Sequence, residues 1–349
     1  MSDPLTNRDE IIRNLSGRTV VKAGAGTGKT TLLVRRYLAA VEELLRHLSP
    51  REAVTKVLAV TFTRMAAREM KQRVIKIFEE KKWDTLLLGR MLCISTIDSF
   101  CSEILRENAV LLGLDPDFKI LEAAAARLLF FKGTAALLDQ DETPLPDICE
   151  SEDLDRITRG AFSFIQKLKS DGITPEDFAL NAESSENRFI AFCYANYERM
   201  LLEKRALDFS GLLLATFTAV QKHPSLRQKL QNQYLHILVD EYQDTSPLQS
   251  RLLNLLARPQ ENYFVVGDEN QSIYSFRNVD PQNLKNEEST ARVFSLAENF
   301  RSSEAILSLV NSVFQSRFKN YDPLLPFAGA PDHLPELILS PDYETEADA

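Results

Sequence analysis

Cysteine and histidine are scarce in this chain of 349 residues, with 4 of each. Cys93, Cys101, Cys149 and Cys193 share no Cys-x-x-Cys spacing. That argues against a zinc ribbon or a disulfide framework. Reduced, buried thiols in a cytosolic protein are the expectation. No apolar run approaches the roughly 20 residues that a membrane-spanning helix needs. The polar start, Met1 to Arg18, lacks the apolar centre of a signal peptide. A cytoplasmic protein with no membrane partner is therefore expected. An excess of positive charge is also missing, because 41 Lys and Arg face 50 Asp and Glu, a net charge of −9. Nothing global advertises nucleic-acid binding, but that does not exclude it, because a local groove can be basic on an acidic protein. Hydrophobic residues at 44% and charged residues at 26% are ordinary for a soluble globular protein. The length accommodates two or three domains.

Against that background one stretch stands out: Ala23-Gly24-Ala25-Gly26-Thr27-Gly28-Lys29-Thr30. It follows the apolar run Thr19-Val20-Val21 and precedes Leu33, Tyr37, Val41 and Leu44 at helical spacing. The order is strand, glycine-rich turn, helix. Such a turn lets successive backbone N–H groups converge on phosphate oxygens, and the helix start adds partial positive charge. In this pattern Lys29 reaches the β- and γ-phosphates and the Thr30 hydroxyl binds Mg²⁺. The general pattern has glycine where this chain has Ala23.

Further apolar runs mark further strands. Val57-Leu58-Ala59-Val60 reads as a strand buried on both faces. After it, Arg64, Arg68, Lys71, Arg73 and Lys76 form a basic helix face, with Met65, Met70, Val74 and Ile77 expected on the apolar one. Leu92-Cys93-Ile94-Ser95 predicts a strand running into a helix that stops at Gly113. From about 120 to 207 the pattern is helical, with helices over Ala123–Leu138 and along Ile190, Tyr194, Tyr197 and Leu201, and a loop over Gln140–Asp153. This reads as a helical insertion between strands of one sheet; an independent domain is the other reading. Strands resume at His236–Val239 and Tyr263–Val266. Strands alternating with helices predict an α/β fold with a parallel sheet, whose ligand site lies beyond the C-terminal strand ends. Lys29, Thr61, Asp240 and Gln271 all follow predicted strands.

Asp240-Glu241, directly after a strand, supplies what the glycine turn lacks. Asp240 would hold the Mg²⁺ that bridges the phosphates. Glu241 would orient or deprotonate the attacking water. Gln243 and Gln271 are neutral amides that would sense the γ-phosphate by hydrogen bonds, with surface positions as the alternative.

Several longer runs carry a resemblance. Asp240-Glu241-Tyr242-Gln243-Asp244-Thr245-Ser246 resembles the Walker B motif of UvrD/Rep-type superfamily 1 DNA helicases. Val266 to Arg277 is similar to their motif III, and Glu298-Asn299-Phe300-Arg301-Ser302 to their motif IV. Val60-Thr61-Phe62-Thr63 with Ala66 to Met70 resembles motif Ia; Ser95 to Cys101 resembles motif Ib. Asp98, where many members have histidine, and Leu207-Asp208-Phe209 lean towards the RecB/AddA branch.

The resemblance implies a P-loop NTPase (RecA-like) sheet flanked by helices, with an all-helical inserted subdomain. A first motor lobe would cover 1–112 and 208–285, the insert 113–207, and an incomplete second lobe 286–349. ATP and Mg²⁺ would be the cofactors, and the activity ATP-dependent 3′-to-5′ movement on single-stranded DNA in repair or recombination. Thr61, Thr63, Thr96 and Ser99 would contact the DNA backbone, with strand-end capping as the alternative role. Tyr274 and Phe276 would stack on bases. Arg301 would neutralise γ-phosphate charge, and Phe300 would lie near the adenine. Single strands, duplex junctions and nuclease or recombination subunits are the implied partners. Three departures accompany this, the first being Thr31 where these helicases often carry arginine directly after the P-loop threonine. The stretch Thr6-Asn7-Arg8-Asp9-Glu10 has no glutamine where these helicases read adenine. Motifs V and VI do not follow motif IV, and Pro335 to Ser340 would be one strand of the second lobe. An ATP-switched DNA- or partner-binding protein without unwinding is the alternative function.

Overall fold

A computed structural model describes residues 4–138, 151–258, 262–273, 279–280, 282–318 and 321–327. The chain opens with α1 (Pro4–Arg13), β1 (Arg18–Ala23), α2 (Lys29–Leu44), α3 (Pro50–Thr55) and β2 (Val57–Thr61). Then come α4 (Arg64–Glu80), α5 (Thr85–Met91), β3 (Cys93–Thr96), α6 (Ile97–Glu107) and α7 (Ala109–Leu112). The insert holds β4 (Lys119–Leu121), α8 (Ala123–Leu138), α9 (Ser151–Asp171), α10 (Pro175–Ala179) and α11 (Ser185–Glu203). The chain returns through β5 (Ala206–Asp208), α12 (Phe209–Lys222), α13 (Pro224–Gln233), β6 (His236–Val239), α14 (Pro247–Leu256) and β7 (Asn262–Gly267). It continues with α15 (Gln282–Glu288), β8 (Arg292–Leu296), β9 (Glu298–Asn299), α16 (Glu304–Phe314) and β10 (Leu325–Pro326).

Six strands form one sheet in the order β3-β2-β6-β7-β1-β8. Every neighbouring pair is parallel. The apolar runs explain why. Strands β2, β6 and β7 are buried along their whole length, as a sheet covered on both faces requires. The side-chain period of two then splits each strand between two cores. Leu58, Val60, Ile237, Val239 and Val265 face α6, α12 and α14. Val57, Ala59, Leu238, Phe264 and Val266 face α2 and α4.

The fold class follows the expectation, with particular differences. Strand β8 pairs with β1, so the sheet continues past residue 285, where the first lobe was expected to end. On α4, Met70 and Val74 are buried as expected, but Met65 is 79% exposed. It lies in the first turn, before the helix settles onto the sheet. The helical stretch contains short strands: β4 pairs with β5. Residues 151–153, expected in a loop, begin α9. Residues 140–150, Cys149 and the strand expected at Pro335–Ser340 lie outside the described residues. Cys101 and Cys193 are buried free thiols. Burial pushes both up to about 12.

The insert has its own core, built on Phe130, Ile165, Phe189, Tyr194 and Tyr197. A buried ion pair fastens it to the sheet domain. The Lys169 amine, fully buried on α9, donates to Glu198 Oε1 at 2.6 Å and to Asp208 Oδ1 at 2.7 Å. Asp208 also caps α12 by accepting from Gly211 N at 2.7 Å, and accepts from Tyr197 Oη and Gln166 Nε2, both at 2.8 Å. Burial pushes the Asp208 carboxyl up, but the Lys169 charge and the hydrogen bonds outweigh it and hold it below the usual value. Removing one partner strands the other charge. Lys169→Met should therefore destabilise the chain by about 3–5 kcal/mol in urea unfolding; a loss below about 1 kcal/mol would show that the pair is not a fastening.

Candidate active site

The glycine turn joins β1 to α2 at the C-terminal edge of the sheet, where α/β ligand sites lie. Its shape depends on two glycines. Gly28 caps α2 with φ 79°, and Gly26 has φ 75°, a region glycine enters without steric cost. Space excludes a side chain at Gly26 as well, since a Cβ would lie 2.6 Å from Asn299 Nδ2. Asn299 holds the turn by donating from Nδ2 to Ala25 O at 2.7 Å, and Phe300 N donates to Gly26 O at 2.9 Å.

Lys29 is the first residue of α2. Its amine donates to Ala23 O at 3.2 Å, lies 3.5 Å from Gln271 Oε1 and stands 3.5 Å from Glu241 Oε2. The turn, the end of β6 and the segment after β7 thus meet around one ammonium group. Asp240 is 8% exposed. Burial, with help from Glu241, raises its carboxyl to about 6, against a smaller opposing effect of Lys29. Glu241 sits at φ 48°, ψ 49°. A non-glycine residue there costs of order 1 kcal/mol or more, and such residues cluster at functional sites. Gln243 is buried, not on the surface. It donates to Glu241 Oε2 at 2.9 Å and accepts from Asp268 N at 3.0 Å, tying β6 to β7. Gln271 donates to Asp268 Oδ2 at 2.5 Å.

A match over residues 6–292 to the UvrD/REP helicase N-terminal domain coincides with this arrangement. The chain belongs to the UvrD/Rep helicase family. It is similar to the ATP-dependent DNA helicase PcrA of Staphylococcus aureus (strain Mu50), 33% identical over 320 residues. The PcrA of Staphylococcus epidermidis (strain RP62A) is 33% identical over 319 residues. In both cases the match covers 89% of this chain and 40% of the relative. The chain therefore spans well under half the length of the curated relatives it matches. Among the described residues no helix is long and apolar enough to cross a membrane.

Thr30 lies in the first turn of α2, directly after Lys29. Thr61 and Thr96 line a cavity of about 330 Å³ together with Asp240 and Glu241. Thr63 and Ser99 do not line it. Thr63 caps α4 by accepting from Ala66 N, Thr96 caps α6 by accepting from Ser99 N, and the Ser99 hydroxyl lies 2.9 Å from Thr96 Oγ1. Arg301 is exposed; its backbone N–H donates to Asn299 Oδ1 at 2.8 Å beside the turn. Phe300 packs beside Gly28. Tyr274 and Phe276 lie outside the described residues.

Four participants escaped the sequence reading. Asn299 stood inside the recognised Glu298–Ser302 run but was given no role. Phe209 and Ser210, at the start of α12, line the same cavity as Thr61 and Asp240. Arg8 on α1 donates to Thr27 O at 2.9 Å, and nothing local in the sequence signals that contact. It becomes possible because the buried Arg36 of α2 donates to Ile11 O and Asn262 Oδ1, holding α1 against the sheet.

The Asp240 carboxyl is raised in the folded state, from 3.8 to about 6. The folded chain therefore binds more protons than the unfolded one between these values, and its stability gains as pH falls through 6. Asp240→Asn keeps the acceptor for Glu241 N and removes the charge. It should stabilise the ligand-free chain at pH 8 by on the order of 1–3 kcal/mol. The gain should fade as pH drops from 6 towards 3.8 in thermal melts. A destabilised variant at pH 8 would contradict this.

Proposed function

We propose that the chain is the ATP-binding N-terminal portion of an ATP-dependent 3′-to-5′ DNA helicase or translocase acting in repair or recombination. The convergence of the Lys29 ammonium with Glu241 Oε2 and Gln271 Oε1 at the sheet edge carries this reading. Backbone N–H groups of the turn and the start of α2 cradle the triphosphate. Lys29 leaves Ala23 O for the β- and γ-phosphates. Glu241 orients the attacking water and takes its proton. Gln243 and Gln271 link the state of that site to β7, and Arg301 offsets charge that develops on the γ-phosphate.

Among the described residues no group of three or more acids, histidines or cysteines forms a protein-only metal site. That fits Mg²⁺, which takes one or two protein oxygens and completes its shell with phosphate and water. The Thr30 hydroxyl and the Asp240 carboxylate are the residues that would hold it. Bound there, it would neutralise phosphate charge during transfer.

Thr61, Thr63, Thr96, Ser99, Tyr274 and Phe276 would be the residues that contact single-stranded DNA. Thr61 and Thr96 share their cavity with Asp240 and Glu241, which gives a short route between DNA contact and the hydrolytic acids. Nuclease or recombination subunits and duplex junctions complete the proposed partners, and the cytoplasm is the proposed compartment.

The 349-residue chain should bind Mg-ATP weakly and hydrolyse it slowly, because the match spans only 40% of the relatives' length. Lys29→Ala and Glu241→Gln should each abolish that turnover in a phosphate-release assay, with nucleotide binding lost only in the former. Undiminished turnover in both would refute the assignment.

A further inference from the structure

Resting on the reading of Glu241 as the acid that orients the attacking water, we infer that Asn283 and Glu287 of α15 are positioning residues for hydrolysis. They hold Glu241 in place through the turn that follows it. Helix α15 buries Asn283, Leu284 and Glu287. The two polar residues are four positions apart, and so share one face. A surface helix ordinarily buries an apolar stripe. Burying an amide and a carboxylate is costly unless each finds partners.

Both find partners in and just after the single 3-10 turn Tyr242–Asp244. Asn283 Nδ2 donates to Thr245 O at 2.9 Å. Asp280 N, just ahead of α15, donates to the same oxygen at 3.4 Å. Glu287 Oε1 accepts from Tyr242 Oη at 3.0 Å and from Asn254 Nδ2 at 2.6 Å. Its other oxygen accepts from Arg18 Nη2 at 2.5 Å. The fully buried Tyr242 phenol is thereby tied, through Glu287, to the first residue of β1. Neither Asn283 nor Glu287 lines the cavity that holds Asp240 and Glu241. They act through the turn and not on the substrate.

Glu241 stands between two fixed ends. On one side Asp240 N donates to Val60 O at 2.9 Å. On the other is the turn that α15 holds. At φ 48° Glu241 has a conformation that a non-glycine residue keeps only when its surroundings over-determine it. Gln243 supplies one of the restraining ties, to Asp268 N. Helix α15 supplies the others. Cutting them lets the backbone at Glu241 relax, and its carboxylate leaves the place opposite Lys29.

The test is single-turnover phosphate release, with equilibrium binding of Mg-ATP, for the 349-residue chain and three variants. Asn283→Ala cuts the tie to Thr245 O, and Tyr242→Phe cuts the tie to Glu287. Each should slow hydrolysis at least ten-fold, with the Mg-ATP dissociation constant unchanged within two-fold. Ser250→Ala removes another partner of the same phenol, 2.9 Å away on α14. It should keep the rate within two-fold. Full rate in Asn283→Ala or in Tyr242→Phe overturns the inference. An equal loss in Ser250→Ala, or Mg-ATP affinity that falls as far as the rate, also overturns it, because either reports general loosening. Tyr242→Phe removes a single oxygen atom, so it decides the matter even if Asn283→Ala does not fold. Turnover that needs the Glu241 carboxylate but not the α15 ties sinks this inference alone. Absence of turnover in the unsubstituted chain sinks the reading of Glu241 as well.

Discussion

At the end of β6 the Asp240 carboxylate sits where burial opposes its charge, Glu241 stands beside it, and one ammonium group answers the pair. Asp240 already shows the opposition in its raised pKa of about 6. Lys29, 3.5 Å from Glu241 Oε2, offsets part of it. The amine can stand there only because β1 lies beside β7, which lies beside β6. It also needs Gly26 and Gly28 to turn the chain back over the strand ends. The parallel sheet, its two cores and the turn all position one cation against two acids. Such an arrangement suits a polyanion with a divalent cation, which supplies the negative charge Lys29 seeks and the positive charge the acids seek.

Around that centre the molecule is braced by buried polar groups. Gln243 ties Glu241 to the end of β7, so the acid cannot move without disturbing the neighbouring strand. Asn299 braces the turn from β9. Lys169 and Asp208 lock the insert to α12, whose first residues line the cavity beside Asp240. Each bond is worth little net, but each buried group is costly to leave without a partner.

Much of this was legible in the residues. Strands buried on both faces announce themselves as apolar runs, which is why β2, β6 and β7 were located from the sequence; β1 and the edge strand β3 also carry short apolar runs. Strand β8 was not, because at the sheet edge most of its residues are exposed and its sequence, Arg-Val-Phe-Ser-Leu, reads as an unremarkable segment. Strands β4 and β5 have 3 residues each, too few to show a period. The roles of Asn299 and Arg8 depend on approaches across 274 and 19 positions of chain, which local pattern does not encode. The capping bonds of Thr63 and Thr96 were visible as an alternative to nucleic-acid contact. For Thr96 the two roles are compatible, since the residue also lines the cavity.

The most direct test of the central claim is a crystal structure of the chain grown with Mg²⁺ and a non-hydrolysable ATP analogue. The triphosphate should lie between the Gly26–Thr30 amides and the Asp240–Glu241 pair, with the Lys29 amine moved from Ala23 O onto phosphate oxygens. An analogue bound elsewhere, or a Lys29 amine still on Ala23 O with the analogue present, would contradict the account.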